Sequence, residues 1–232
     1  MRQVIKTIIR KLIIHSIYIL VPNSYWLKYI SYLPAFQAWR QARKGKQPMF
    51  LNRFLLYDFL NKDIISGGPI QYLEFGVYKG ETIKYFANIN SNIDSRFIGF
   101  DSFTGLPEAW QEPTGTMQAN TFDIGGKMPQ TTDGRISFVK GYFQTSLPGF
   151  LQEYQAVHPL VMHIDCDLYS STLYVLTLSN HLLVPGSIVI FDEFFSVMHE
   201  FRALEDYCSS YMRDYTVVAT TKGCGQIAIR MH

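Results

Sequence analysis

Acidic side chains are missing from the beginning of this 232-residue chain. Ten Lys/Arg and no Asp/Glu precede Asp58; the remaining eleven Lys/Arg stand against all nineteen acids, so a basic arm leads into a body of about −8. The net charge of +2 conceals this split. The two parts therefore face different partners. Nucleic acid is excluded as one of them, because the basic residues do not continue over the body. Cysteine is scarce as well. Cys166, Cys208 and Cys224 are odd in number and show no Cys-x-x-Cys spacing. That argues against a disulfide framework or a structural zinc site and fits a reducing, cytoplasmic compartment. Long apolar runs are absent: the uncharged stretch Leu12 to Pro22 is about half of what a bilayer span needs. No small-x-small cleavage site follows it. The Gly-x-Gly-x-x-Gly fingerprint and a Tyr-x-x-x-Lys pair are also lacking, which weighs against a nicotinamide-dependent oxidoreductase.

What is present is organised around Gln71 to Gly80. The apolar run Ile70 to Phe75 reads as a buried strand, two glycines follow at Gly76 and Gly80, and a helical pattern starts at Glu81. Strand, glycine turn and helix bring backbone N–H groups up to a ligand. Gly76 can take the positive φ of a sharp turn, and Gly80 leaves no Cβ in a ligand's way. A second apolar strand, Arg96 to Phe100, ends at Asp101, where a carboxylate can accept both hydroxyls of a ribose.

Residues 1–22 mix Arg2, Lys6, Arg10 and Lys11 with isoleucines at helical spacing. Such a helix packs on the body or on a partner subunit, or attaches peripherally to a membrane. Residues 23–65 are rich in aromatics, with helical spacing over 34–45 and 49–62. From Ile70 onward strands at 70–75, 96–100, 135–140, 159–165 and 186–192 alternate with helices at about 80–89, 144–155, 170–182 and 198–212. The segments 215–221 and 226–231 close the chain as a hairpin. The expectation is an α/β, Rossmann-like, seven-stranded and mostly parallel sheet with a C-terminal antiparallel hairpin. Residues 1–65 form a helical basic and aromatic extension and 66–232 the main domain. The irregular stretch 102–134, with Phe103, Trp110 and Phe122, is a candidate lid.

Carboxylates gather where two strands end. His163-Ile-Asp-Cys-Asp-Leu-Tyr169 puts Asp165 and Asp167 at the carboxyl end of one strand, and Phe191-Asp-Glu-Phe194 puts Asp192 and Glu193 at the end of the next. Open α/β sheets bind ligands at that edge. Adjacent strand ends lie about 5 Å apart, so these acids converge and repel unless a cation sits among them or one stays protonated. An all-oxygen set suits Mg²⁺, with Ca²⁺ or Mn²⁺ as alternatives, rather than zinc. The competing reading makes Asp167 and Asp192 helix N-caps. His163 reads first as a hydrogen-bonded core residue, His199 as a helix-surface one. Cys166, flanked by carboxylates, has its pKa raised and is no thiolate nucleophile.

Four segments together carry a resemblance: Leu-Glu-Phe-Gly-Val-Tyr-Lys-Gly at 73–80, Gly-Phe-Asp-Ser-Phe-Thr-Gly-Leu-Pro-Glu at 99–108, His-Ile-Asp-Cys-Asp-Leu-Tyr-Ser-Ser-Thr at 163–172 and Leu-Val-Pro-Gly-Ser-Ile-Val-Ile-Phe-Asp-Glu-Phe at 183–194. From about Tyr72 the chain resembles class I S-adenosylmethionine-dependent methyltransferases, and among them the macrocin O-methyltransferase family of sugar-tailoring enzymes. The resemblance implies a cofactor site at Glu74, Gly76, Tyr78, Gly80, Asp101, Ser102, Gly141, Tyr142 and Asp165. It implies Mg²⁺ ligands at Asp165, Asp192 and Glu193, and a general base at Asp167. The acceptor it implies is a sugar or other polyhydroxyl small molecule or glycan, and a homo-oligomer is compatible with it. Two positions depart from the family: Cys166 stands where glycine is usual, and Glu193 where a second Asp is. A non-enzymatic alternative is a degenerate fold kept as a partner-binding subunit.

Overall fold

The structure is a computed structural model that describes Lys6 and residues 25–232. The helix expected over 1–22 lies, apart from Lys6, outside the described residues. In chain order the elements are α1 (Tyr25–Arg43), β1 (Met49–Phe50), α2 (Arg53–Phe59), β2 (Gln71–Phe75), α3 (Glu81–Ile89), β3 (Arg96–Asp101), β4 (Trp110–Glu112), β5 (Gly115–Met117), β6 (Ile136–Lys140), α4 (Phe143–Glu153), β7 (Leu160–Ile164), α5 (Tyr169–Leu178), β8 (Ile188–Phe191), α6 (Glu200–Tyr211), β9 (Tyr215–Thr221) and β10 (Ile227–Met231). Among the described residues no helix is long and apolar enough to cross a membrane.

One sheet runs in the order β1-β9-β10-β8-β7-β2-β3-β6. Only β10 opposes its neighbours; every other pairing in this sheet is parallel. The expected seven strands are all there. The two-residue β1 adds an eighth, pairing beside β9, too short to show a period in the sequence. β2 and β7 are buried at every position, which is why they read as continuous apolar runs rather than alternating ones.

Helices cover both faces. Alternate strand residues such as Leu73, Met162 and Val189 pack with Phe36 and Trp39 of α1 and with α4, α5 and α6. Tyr72, Phe97 and Ile190 pack with Leu56 and Tyr57 of α2 and with α3. The aromatic residues of 25–65 are thus part of both cores. α2 starts at Asn52, whose side chain accepts from Leu55 N–H at 3.0 Å, a normal N-cap. The 102–134 stretch carries the small β4–β5 ribbon. Phe103, expected in the lid, is buried beneath it against Phe138.

Candidate functional site

The turn after β2 is fixed by packing. Gly76 has φ +95°, and a Cβ there would fall 1.8 Å from the Asp165 carbonyl oxygen. No side chain fits between β2 and the end of β7. Asp101 closes the turn: Oδ2 accepts Val77 and Tyr78 N–H at 2.8 and 2.7 Å, and Oδ1 accepts Phe103 N–H at 2.6 Å. Oδ2 is therefore committed to the backbone, whereas Oδ1 carries one contact and keeps a lone pair for a ligand hydroxyl.

A cavity of about 370 Å³ opens at this edge, and Gly76, Tyr78, Asp101, Ser102, Tyr142, Asp165, Asp167, Asp192 and Glu193 all line it. Leu106, Trp110, Met117 and Phe122 of the 102–134 stretch form its far wall. Three wall residues that are not glycine hold left-handed backbone: Tyr78 at φ 49°, Phe122 at 71° and Asp167 at 60°. Strain of this kind collects at ligand sites.

The other expected residues sit behind the wall. Gly80 caps α3 with φ 75°, packed on Pro129. Gly141 turns the chain after β6 and donates to the Asp101 carbonyl at 2.9 Å. Glu74 is fully buried, accepting from Tyr72 Oη at 2.8 Å and Thr82 Oγ1 at 2.7 Å. His163 lies beside it, with Nδ1 2.9 Å from Tyr72 Oη and 3.2 Å from Glu74 Oε2. Tyr72 spends its one proton on Glu74, so Nδ1 carries the histidine's proton. That is the core histidine expected, serving the turn from behind.

Asp167 and Asp192 are not helix caps: the caps of α5 and α6 are Leu168 and His199, without a side-chain bond from either acid. Asp165 is shared by two sets of close donors, His163 with Asp192 and Asp167 with Glu193, each within 4.8 Å. Burial first, then the neighbouring carboxylates, pushes Asp165 well up, Asp167 to about 7 and Glu193 to about 10. Asp192 Oδ1 and Glu193 Oε2 are buried without a partner. Only the Asp165, Asp167 and Glu193 set is all-oxygen; Asp192 falls in the set with His163, so the three expected ligands do not form one set. Orphaned carboxylate oxygens beside an all-oxygen set fit a hard divalent cation. Cys166 is buried and its thiol is raised by burial before the carboxylates are counted, so burial rather than flanking charge is the main cause.

Three contributors had no sequence signal. Arg53, at the start of α2, lines the cavity and pairs with Asp192 at 2.8 Å; only the excess of cations before Asp58 hinted at it. Glu200 is buried, and its Oε2 accepts from Glu193 N–H at 3.1 Å. His199 is not the helix-surface residue expected: Nδ1 accepts from Tyr169 N–H and Nε2 lies 2.9 Å from the Gln111 carbonyl, clamping β4 to α5.

The family model for macrocin-O-methyltransferase (TylF) matches residues 56–214. No protein of curated function matches the chain by sequence. Among solved structures it is similar to the O-methyltransferase NovP (19% identity, 77% of this chain and 78% of that one, TM-score 0.61). It is also similar to CalS11, a calicheamicin methyltransferase (23%, 93% and 89%, TM-score 0.59), described in its apo form as a TDP-rhamnose 3'-O-methyltransferase. A third is cmcI with Mg and SAM (17%, 77% and 70%, TM-score 0.54).

Proposed function

The chain belongs to the macrocin-O-methyltransferase family and is an S-adenosylmethionine-dependent O-methyltransferase, and we propose that its acceptor is a hydroxyl of a sugar or similar polyhydroxyl compound, methylated with the help of a divalent cation. One observation carries this reading: the Gly76 turn, Asp101 and the carboxylate corner open on a single cavity. The description of CalS11 supports the sugar, and that of cmcI supports Mg²⁺.

The residues that would hold the cofactor are those that line the cavity around the Gly76 turn: Tyr78, Asp101, Ser102, Tyr142 and Asp165. Glu74, Gly80 and Gly141 shape that bed without touching it. Bound S-adenosylmethionine supplies an electrophilic methyl group on a sulfonium. A cation held by Asp165, Asp192 and Glu193 would lower the pKa of the acceptor hydroxyl and orient it.

The chain's own residues do the rest. Asp167 lines the cavity beside Asp165 and is placed to take the hydroxyl proton as general base. Its left-handed backbone aims it into the cavity rather than along α5. Leu106, Trp110 and Met117 line the cavity and would limit water around a bound acceptor, while the fixed turn would restrict where the methyl donor can sit.

Calorimetric titration with S-adenosylmethionine tests the cofactor; absence of heat and of any thermal shift sinks the reading. Asp167→Asn should lower kcat by about 10²- to 10⁴-fold with the cofactor affinity kept. A nucleotide-sugar panel then tests the acceptor.

A further inference from the structure

The outward side of α1 is apolar. Trp26, Ile30, Pro34 and Ala38 recur every four residues and are all exposed, with Leu27 beside them; Trp26 and Ile30 are each 54% exposed. The inward side is already used, since Phe36 and Trp39 are buried in the core. An exposed apolar stripe of this length on a helix marks a contact surface. On α1 and the turn after it the charges are of one sign: Lys28, Arg40, Lys44 and Lys46 are exposed and no acid occurs before Asp58, while Glu112 and Glu205 of packed elements lie by Tyr25, Tyr29 and Arg43, away from the stripe.

We propose that α1 docks the protein onto an anionic lipid surface, with Trp26, Leu27 and Ile30 entering the headgroup boundary and the flanking Lys and Arg facing the lipid phosphates. Apolar anchors on a helix that carries cations and no anion of its own are the chemistry of an interfacial helix. The sequence ahead of α1 repeats it, setting Arg2, Lys6, Arg10 and Lys11 among isoleucines.

The docking face also lies next to the cavity. Tyr25, in the first turn of α1, donates from Oη to the Gln111 carbonyl at 2.6 Å. Gln111 belongs to β4, whose neighbour Trp110 lines the cavity wall. A chain seated through this turn therefore holds the cavity cover beside the lipid surface. The docking itself stands on α1 and does not depend on the acceptor proposed above.

The test uses the full chain with phosphatidylcholine vesicles, with and without phosphatidylglycerol. Partition should require phosphatidylglycerol and weaken as salt rises. Trp39 and Trp110 are 6% and 7% exposed, so quenching by bromine-labelled acyl chains reports on Trp26 and should vanish in Trp26→Phe. Trp26→Ser combined with Ile30→Ser should weaken partition by about tenfold or more, on the transfer free energy of two apolar side chains. Partition that ignores phosphatidylglycerol overturns the proposal. So does partition without Trp26 quenching and unaffected by the stripe variants, which places the contact outside α1. Self-association that the stripe variants abolish also overturns it, in favour of a second copy. Cofactor titration of the same variants should be unchanged, so failure of docking and failure of the transferase reading appear in different assays.

Discussion

Replacing Gly76 by alanine should disable the enzyme through geometry alone. The added Cβ would sit 1.8 Å from the Asp165 carbonyl oxygen, whereas real Cβ contacts essentially never fall under 3.0 Å, so the two strands must separate by at least 1.2 Å. Neither side yields easily. Gly76 N–H donates to Phe100 and Asp165 N–H to Phe75, both at 2.9 Å, tying the turn into β2, β3 and β7. The φ of +95° adds a backbone cost of about 1–3 kcal/mol for any residue with a Cβ. A displacement of about 1 Å in a positioned site costs about 10²-fold in rate, and here it moves both the cofactor bed and Asp165. We expect kcat/KM to fall by about 100-fold or more, with cofactor affinity falling beside it in calorimetry. Gly134→Ala, in the same protein with nothing within 4 Å of the new Cβ, should be neutral. Gly80→Ala should lie between the two, since its Cβ meets only the side chains of Pro129, at 3.2 Å, and Lys84, at 3.5 Å, though at φ +75°. A folded Gly76→Ala enzyme with parental affinity and turnover would refute the placement of the cofactor over this turn.

Stability should fall as pH rises in the absence of divalent cation. Asp167 and Glu193 carry folded values of about 7 and about 10 against 3.8 and 4.5 for the free groups. Between those limits the native state holds protons that the unfolded chain has released, so raising pH favours unfolding; melting scans with Mg²⁺ should show a flatter decline, and identical curves would count against a cation site. Tyr72→Phe removes the proton donated to buried Glu74 and should cost about 1–3 kcal/mol in urea unfolding. Arg53→Met leaves buried Asp192 without its partner. Because the Arg53 side chain is 34% exposed, the loss should be about 1–3 kcal/mol, below the roughly 3–5 of a fully buried pair.

The sheet was legible because its central strands β2, β7 and β8 are buried on both faces, and the turns between strands are punctuated by glycine. Leu160 to Ile164 shows this: a closed apolar run ending in acids reads as a strand whose far end meets a ligand. The carboxylate corner was legible for the same reason, since strand ends bring Asp165 and Asp192 together whatever the side chains do. Arg53 was not. It reaches Asp192 from α2, over a hundred residues earlier in the chain, and a single arginine before an apolar helix carries no pattern. His199 misled because its helical neighbours suggest a surface position, whereas β4 covers it. Glu74 matched a cofactor motif by position, yet the pleat turns it into the core with Thr82 and His163, so its part in the motif is to brace the turn.

The corner cannot be explained as a stabilising feature. Asp165, Asp167, Asp192 and Glu193 crowd one strand edge, and Glu200 stands behind them, fully buried. Like charges at this spacing oppose folding unless offset. Two offsets are visible. Arg53 neutralises Asp192 from one side, the one basic side chain lining the cavity among the described residues. Burial and mutual repulsion push the Asp165 and Glu193 carboxyls up, which favours their neutral forms. Neither satisfies Asp192 Oδ1 or Glu193 Oε2, which remain buried without partners. A chain selected only for stability would replace such acids with apolar residues of similar volume, commonly at no loss. Asp165, Asp167, Asp192 and Glu193 line the cavity beside a turn that admits no side chain at Gly76, which is consistent with the cation and polar acceptor proposed above. Arg53 lies just outside the segment the family model matches, so the charge that offsets Asp192 comes from the region ahead of that segment.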